Sequence, residues 1–391
     1  MINKKLAFLF VFIILVVSSI SSYFIFRQNA KSGSPNFLSP LSNYQPPKTV
    51  SSVSITDEPK TEPCPLNGEL MTKSQEKIWQ ARRPLGVMIE NHVQARPQSG
   101  LSSADIVYEA VAEGGITRFL AVFYCQDAPY VGPVRSARMY FIHFLQAYGS
   151  NPLYAHVGGA NTPGPANALG YLSTIGWAGN NDMNQFSVPF PYFWRDYERL
   201  PNRATEHTVY SSTAKLWEYA KTYRGLTNVD ANGVSWDKNF TPWKFIDDAP
   251  MSKRGAVDKI DFGFWDQSVS DYGVTWNYDK NTNLYSRVNG GQPHIDKNTG
   301  KQLTAKDVVV MFSPESVVHD GYPDGQHLMY NTIGEGNALV FQNGQAIEAT
   351  WSRTNYTDNL KFTDSATGLE IPMVRGEIFV EMLPTGNKVT Y

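Results

Sequence analysis

Apolar and polar positions divide the chain into three textures. Residues 6–26 form an almost unbroken apolar run behind Lys4 and Lys5, long enough to cross a bilayer as one helix. Residues 28–62 lose apolar periodicity and are rich in Ser, Pro, Thr and Asn, the composition of an extended, disordered tether. From about residue 80 the periodicity returns. The expected organisation is a signal anchor over 1–27, a disordered linker over 28–62, a mixed α/β domain over 63–235 and a β-rich domain over 236–391.

In the first domain, LGVMIEN reads as a short buried strand and SSADIVYEAVAEGGITRFLAVFYC as a hairpin. The run PVRSARMYFIHFLQAYG, residues 133–149, predicts a helix with apolar residues at 139, 141, 142, 144, 145 and 148. Ser136 is its expected N-cap and Gly149 its stop. PLYAHV is a strand that feeds GGANTPGPANALGYL, a Gly-rich loop opening a helix with Pro165 near the first turn. STAKLWEYAKTYRG is a further helix, capped by Ser or Thr and stopped by Gly225. After about residue 240, strands alternate with turn signals, among them Asn343-Gly344, a type I′ hairpin pair. The fold class is α+β, a mixed α/β domain followed by a mostly β domain.

Composition narrows the function. With 42% hydrophobic and 18% charged residues, the body is globular. A net charge of -2 argues against nucleic acid as a partner and leaves room for a local basic pocket. The apolar N-terminal run places the body outside the cytoplasm, held to the cell membrane by a single-pass helix. Ser19-Ile20-Ser21 offers a cleavage site, but the apolar run continues through YFIF beyond it, which favours a retained anchor. Cys64 and Cys125 are the two cysteines; a bridge between them and two unpaired thiols both stay open. No metal spacing and no HExxH, GxSxG or nucleotide-loop signature occurs, so neither metal nor cofactor is expected.

The candidate chemistry lies around the predicted helix at 136. Arg135 and Arg138 would sit at its positive end, at a cost of about 0.3–1 kcal/mol each. A nearby anion compensates, either a bound ligand or a carboxylate of the protein. Taking AEGG as a four-residue turn sets Glu109 opposite Arg118 and predicts a cross-strand ion pair. Glu113 falls in that turn beside Gly114 and Gly115, where backbone has room to approach a ligand. Glu90, Asn91 and His92 end a buried strand just before Arg96, a placement that lines a cleft or closes a hydrogen-bonded turn. His156, at the end of PLYAHV, is a candidate for the same cleft. The stretch FSVPFPYFWRDYERLPNRATEH adds aromatics beside arginines, suited to sugars or to packing between domains.

The run LGVMIENHVQARPQSGLSSADIVYEAVAEGGITRFLAVFY through VGPVRSARMYFI resembles the YerB-like lipoprotein family, bacterial proteins of unknown function. VTWNYDKNTNLYSRVNGGQPHID and GNALVFQNGQAIEATWSR resemble that family's C-terminal domain. Two departures stand out. No cysteine ends the apolar N-terminal run, so a helix replaces the lipid anchor that the resemblance implies. Where the family tends toward an A-P-H-N-like run after an arginine, this chain has Arg203-Ala204-Thr205-Glu206-His207, aligning His207 only with a shift.

The expected function is a binding or accessory module for an anionic or glycan cell-wall component, with Arg96, Arg135 and Arg138 holding carboxylate or phosphate groups. One alternative is a wall-glycan-cleaving enzyme with Glu113 or Glu90 as general acid. That role needs a raised pKa, which neighbouring arginines oppose. A second alternative is a structural adaptor that binds envelope proteins along its strand edges.

Overall fold

The computed structural model describes residues 58–322 and 327–391. The signal anchor and nearly all of the linker lie outside the described residues. Among the described residues no helix is long and apolar enough to cross a membrane.

A ten-stranded mixed sheet organises the body. In chain order its strands are β1 (Leu85–Glu90), β2 (Ile106–Glu113), β3 (Ile116–Phe123), β4 (Leu153–His156) and β5 (Asp182–Asn184). The β-rich half supplies β6 (Asp307–Ser313), β7 (Gly334–Gln342), β8 (Gln345–Arg353), β9 (Lys361–Asp364) and β10 (Ile378–Pro384). Their spatial order is β9-β8-β7-β6-β10-β2-β3-β1-β4-β5. Every residue of LGVMIE in β1 is buried, as expected of an inner strand covered on both faces. β10 runs parallel to β2 from Ile378↔Ile106 to Glu381↔Glu109, so strands from both sequence halves share one hydrogen-bonded ladder.

The longer helices among the described residues are α1 (Lys73–Trp79), α2 (Met139–Leu145), α3 (Ala168–Thr174) and α4 (Thr213–Arg224). α2 lies on the sheet where Gly86 leaves room; a Cβ there would stand 2.8 Å from Leu145. Tyr108 of β2 stacks on Phe144 of α2 at 4.6 Å and its hydroxyl bonds that of Tyr148 at 2.6 Å. A second, antiparallel sheet contains Lys259–Phe262, Val274–Asp279 and Leu284–Asn289. It packs Trp276 edge-on against Phe379 of β10 at 4.9 Å.

Several local expectations hold. α4 is capped by Ser212 and ends at Gly225 in the left-handed region, and Asn343-Gly344 turns β7 into β8 with both φ angles positive. Others are corrected. α2 begins at Met139 with Arg138 as its N-cap and no side-chain cap bond. Ser136 stays in extended chain, because bridges Ile89↔Val134 and Ala137↔Gly159 pull the preceding segment along the sheet edge. α3 starts after Asn167, whose side chain accepts from Gly170 N, leaving Pro165 outside the helix.

The β2–β3 hairpin also differs. Its turn is the two residues Gly114 and Gly115, at φ 57° and 79°, the type I′ geometry that matches strand twist. An irregularity between Val111 and Glu113 then sets Arg118 opposite Ala110 and Glu109 opposite Phe119. A one-residue slip moves a side chain to the other face. Glu109 and Arg118 therefore point to opposite faces and form no pair.

Cys64 and Cys125 are joined in a disulfide spanning a sequence separation of 61. It ties the arm before α1 to the end of β3, beside Asp105, whose carboxylate accepts from Tyr124 N at 2.6 Å and Cys125 N at 3.0 Å. Closing a loop of this size restricts the unfolded chain by about 4 kcal/mol. A Cys64→Ser, Cys125→Ser double variant should lose about that much stability in urea unfolding; a loss near zero would mean that the arm is held by its packing alone.

Candidate functional site

β1, β2, β4, β5, β6 and β10 all point the same way, so their carboxyl ends collect along one edge. In open α/β sheets that edge is where loops leave room for ligands. The segment before α2 crosses it: Glu90 N donates to Pro133 O at 2.9 Å, Arg135 N to Met88 O at 2.9 Å, and Val157 N to Arg135 O at 3.0 Å. Glu90, Asn91, Glu113, Arg118, Arg135, Arg138 and His156 are thereby brought to the same side of the molecule.

The core of the edge is a carboxylate shared by two arginines. Arg118 Nη2 donates to Glu113 Oε1 at 2.9 Å, and Arg138 Nη2 donates to Oε2 of the same group. The Glu113 side chain is 33% exposed, whereas those of Arg118 and Arg138 are 2% and 8% exposed. The arginines are fixed by backbone carbonyls, Arg118 Nη1 on Ser136 O at 3.0 Å and Arg138 Nη1 on Ala137 O at 2.9 Å. The Nε of each is buried and finds no acceptor among the described residues. Burial pushes both guanidinium pKa values down, with Glu90 the leading opposing charge at Arg118 and Tyr140 at Arg138. One carboxylate against two cations leaves a local excess of positive charge. Gly115 does not leave its backbone to a ligand as the sequence suggested: a Cβ there would stand 2.9 Å from Ser268 Cβ, while Gly114 is open.

A second carboxylate answers Arg135. Its Nε stands 3.0 Å from Glu90 Oε1, and His207 Nδ1 lies 2.8 Å from Glu90 Oε2. The His207 ring stacks on His92 at 4.7 Å and 9°, and burial, then the His207 charge, push the His92 pKa down. For Arg135 and Arg138 alike, the anion in place is the protein's own. His156 is fully buried, with Nε2 2.7 Å from Asp182 Oδ1 and Nδ1 2.7 Å from Gly158 O. Both nitrogens are engaged within the protein.

Behind the edge runs a buried network. Asn91 Nδ2 donates to Glu109 Oε1 at 3.1 Å and to Thr117 Oγ1 at 2.7 Å. Its Oδ1 accepts from Gln98 Nε2 at 2.8 Å and Arg96 Nε at 3.0 Å. Arg96 also donates to Asp271 O at 2.8 Å, and burial brings its pKa down to about 10. Glu109 is paired with Arg287 from the second sheet, and the Arg287 Nε stands 3.5 Å from Glu381. Asn91 and Arg96 thus stitch the end of β1 to the second sheet. Arg118, Asp182, His207 and Arg287 escaped sequence reasoning as members of these clusters. The correct hairpin register would have exposed Arg118; Arg287 stood in an ordinary alternating strand with nothing local to mark it.

These features define an α+β protein in which two stretches of chain complete one sheet and present an arginine-rich polar edge. Residues 68–226 match the N-terminal domain, and residues 262–380 the C-terminal domain, of the family described as Protein of unknown function (DUF3048), and the chain belongs to this family. It is 31% identical over 335 residues to the "Putative lipoprotein YerB" of Bacillus subtilis (strain 168), covering 84% of this chain and 88% of that protein. The crystal structure of YerB protein from Bacillus subtilis superposes with a TM-score of 0.67 at 28% identity, over 85% of this chain and 100% of that one.

Proposed function

We propose that the chain is a membrane-associated, extracytoplasmic binding module whose carboxyl edge takes an anionic group of a cell-wall polymer. The similarity to a lipoprotein and the apolar run at residues 6–26 support the location. The observation that carries the binding role is Glu113 shared by Arg118 and Arg138, with excess positive charge and both Nε atoms unpartnered among the described residues. An exposed aromatic stands close by: Phe186 lies 3.2 Å from where a Cβ on Gly158 would stand, and Gly158 O accepts from the backbone N of Ala137, the residue before Arg138. In this reading Glu113 is the resident anion that a polymer carboxylate or phosphate displaces, taking up the bidentate geometry that guanidinium groups favour.

The enzymatic alternative fits less well. A general acid must hold its proton near neutral pH, and two guanidinium groups favour the carboxylate form of Glu113.

The test is co-sedimentation of the full-length chain in detergent with purified cell wall, followed by mass spectrometry of the supernatant. Binding is expected at low salt and should fall as the screening length shortens to about 3 Å near 1 M. Glu113→Gln, which removes the competing charge, should raise the bound fraction several-fold, and Arg138→Ala should lower it. Loss of binding in Glu113→Gln with the fold intact would overturn the displacement account. Release of muropeptides that stops in Glu113→Gln or Arg135→Ala would establish an enzyme instead.

A further inference from the structure

Arg135 is the least satisfied arginine of the carboxyl edge. Its Nε lies 3.0 Å from Glu90 Oε1 but off hydrogen-bond alignment, and its Nη1 and Nη2 donate to no described residue. The side chain is 26% exposed. This fork, unlike those of Arg118 and Arg138, is open to an incoming group without displacing a carboxylate.

The other oxygen of Glu90 fixes a histidine beside this fork. His207 Nδ1 lies 2.8 Å from Glu90 Oε2. A carboxylate only accepts, so Nδ1 carries the proton and a neutral His207 turns the lone pair of Nε2 away from Glu90. That Nε2 bonds no described residue and keeps contact with solvent. The stacked His92 ring accepts from Gln94 N at 3.1 Å on its Nδ1, so in neutral form it carries its proton on Nε2, which also bonds no described residue. A donor fork, an imidazole N–H and an imidazole lone pair thus gather around Glu90. The exposed carboxyl of Glu206 faces the same group: its own backbone N–H, then the charges of His207, Arg135 and His92, hold it below its ordinary range.

We infer that Arg135, His207 and His92 form a subsite for an anionic group with a neighbouring hydroxyl, as in an α-hydroxy acid or a glycerol phosphate unit. The guanidinium fork takes two oxygens of a carboxylate or phosphate. His92 adds a donor, and the ligand hydroxyl donates to His207 Nε2, which an anion with no proton to give cannot do. A cation would meet the Arg135 charge, and an apolar group would leave these polar atoms unpaired. The inference deepens, and rests on, the reading of this edge as an anion site; displacement of Glu113 is not part of it.

Saturation-transfer NMR on the full-length chain in detergent, at a pH of 8, above the ordinary histidine range, tests it. The probes are lactate against propionate and glycerol phosphate against propyl phosphate. Saturable binding of at least one hydroxy anion is expected, about tenfold tighter than that of its hydroxyl-free analogue. Binding of lactate alone would support a carboxylate ligand, and of glycerol phosphate alone a phosphate. Arg135→Gln should abolish saturation, and His207→Phe should reduce the hydroxy anion to the affinity of its analogue. Glu206→Gln, at an exposed position, removes the competing charge and should tighten binding several-fold with Tm unchanged; it decides the matter if His207→Phe fails to fold. No saturation through the millimolar range, equal affinity for a hydroxy anion and its analogue, or unchanged affinity in Glu206→Gln would overturn the inference. Wall co-sedimentation without binding of these probes would overturn this subsite and leave the Glu113 account standing; probe binding without co-sedimentation would do the reverse.

Discussion

Replacing Arg287 with alanine should destabilise the protein by about 3–5 kcal/mol, the range for removing one partner of a buried ion pair. Arg287, Glu109 and Glu381 are all fully buried. Arg287 holds Glu109 through Nη2 and faces the ring of His294, whose Nε2 lies 2.8 Å from Gln98 Oε1. Burial first, then the Arg287 charge, push the His294 pKa well down, so the neutral ring accepts from Arg287 at Nδ1 and donates to Gln98 from Nε2. Without Arg287, Glu109 keeps its bonds from Asn91 and Thr117 but loses its compensating charge. Removing the charge on both sides, as in Glu109→Gln with Arg287→Ala, should recover part of the loss, and a urea double-mutant cycle reads the coupling. A loss below about 1 kcal/mol in Arg287→Ala, the scale of a surface pair, would show that water reaches Glu109.

Stability should fall as pH rises from 6.5 to 8. Burial raises the Asp105 pKa to about 7 and those of Asp307, Glu377 and Glu381 well above the usual range; at Glu381 the Glu109 charge adds to it. A carboxyl with a raised folded pKa binds more protons in the native state than in the unfolded state between its two pKa values. Its stabilisation is complete below the unfolded value, near 4, and drains away as pH climbs to the folded value. Two buried histidines act oppositely: burial brings His143 down to about 3 and His294 well down, so they remove stability as pH falls below about 6.5. Above that point the carboxyls act unopposed. Each proton the native state retains makes a slope of about 1.4 kcal/mol per pH unit, a few degrees in Tm. Calorimetry at pH 6.5, 7.25 and 8 measures it, and Glu381→Gln should flatten the slope by about one proton. A Tm that stays level or rises across this range would mean that these carboxyls ionise in the native state.

The sequence carried more of the fold than of the site. β1, the β2–β3 hairpin, β4 and α4 were legible because their apolar periods and their Ser212, Gly225 and Asn343-Gly344 punctuation act over a few residues. α2 was placed two residues early because Ser136 is a sound N-cap in isolation, and it lost to the bridges that draw residues 134–137 along the sheet. The Glu109–Arg118 pair failed for a comparable reason. A two-glycine turn and one irregularity changed the facing, and no local propensity separates that register from the four-residue turn.

At the site, the arginines and glutamates were recognised as chemistry before their partners were known. Arg135 and Arg138 called for anions because the sequence placed them at the positive end of a helix. Which anions they found depended on contacts between separate elements: Glu113 reaches Arg138 from the β2–β3 hairpin, and Glu90 reaches Arg135 from the end of β1. The deepest pairing, Glu109 with Arg287, spans 178 residues and arises because the second sheet packs onto the first beside β10. Periodicity and capping are properties of neighbouring residues and survive in a one-dimensional reading. Ion-pair choice, the face a strand residue presents and the Cys64–Cys125 bridge are set by packing between distant segments, which exists only once the chain has folded.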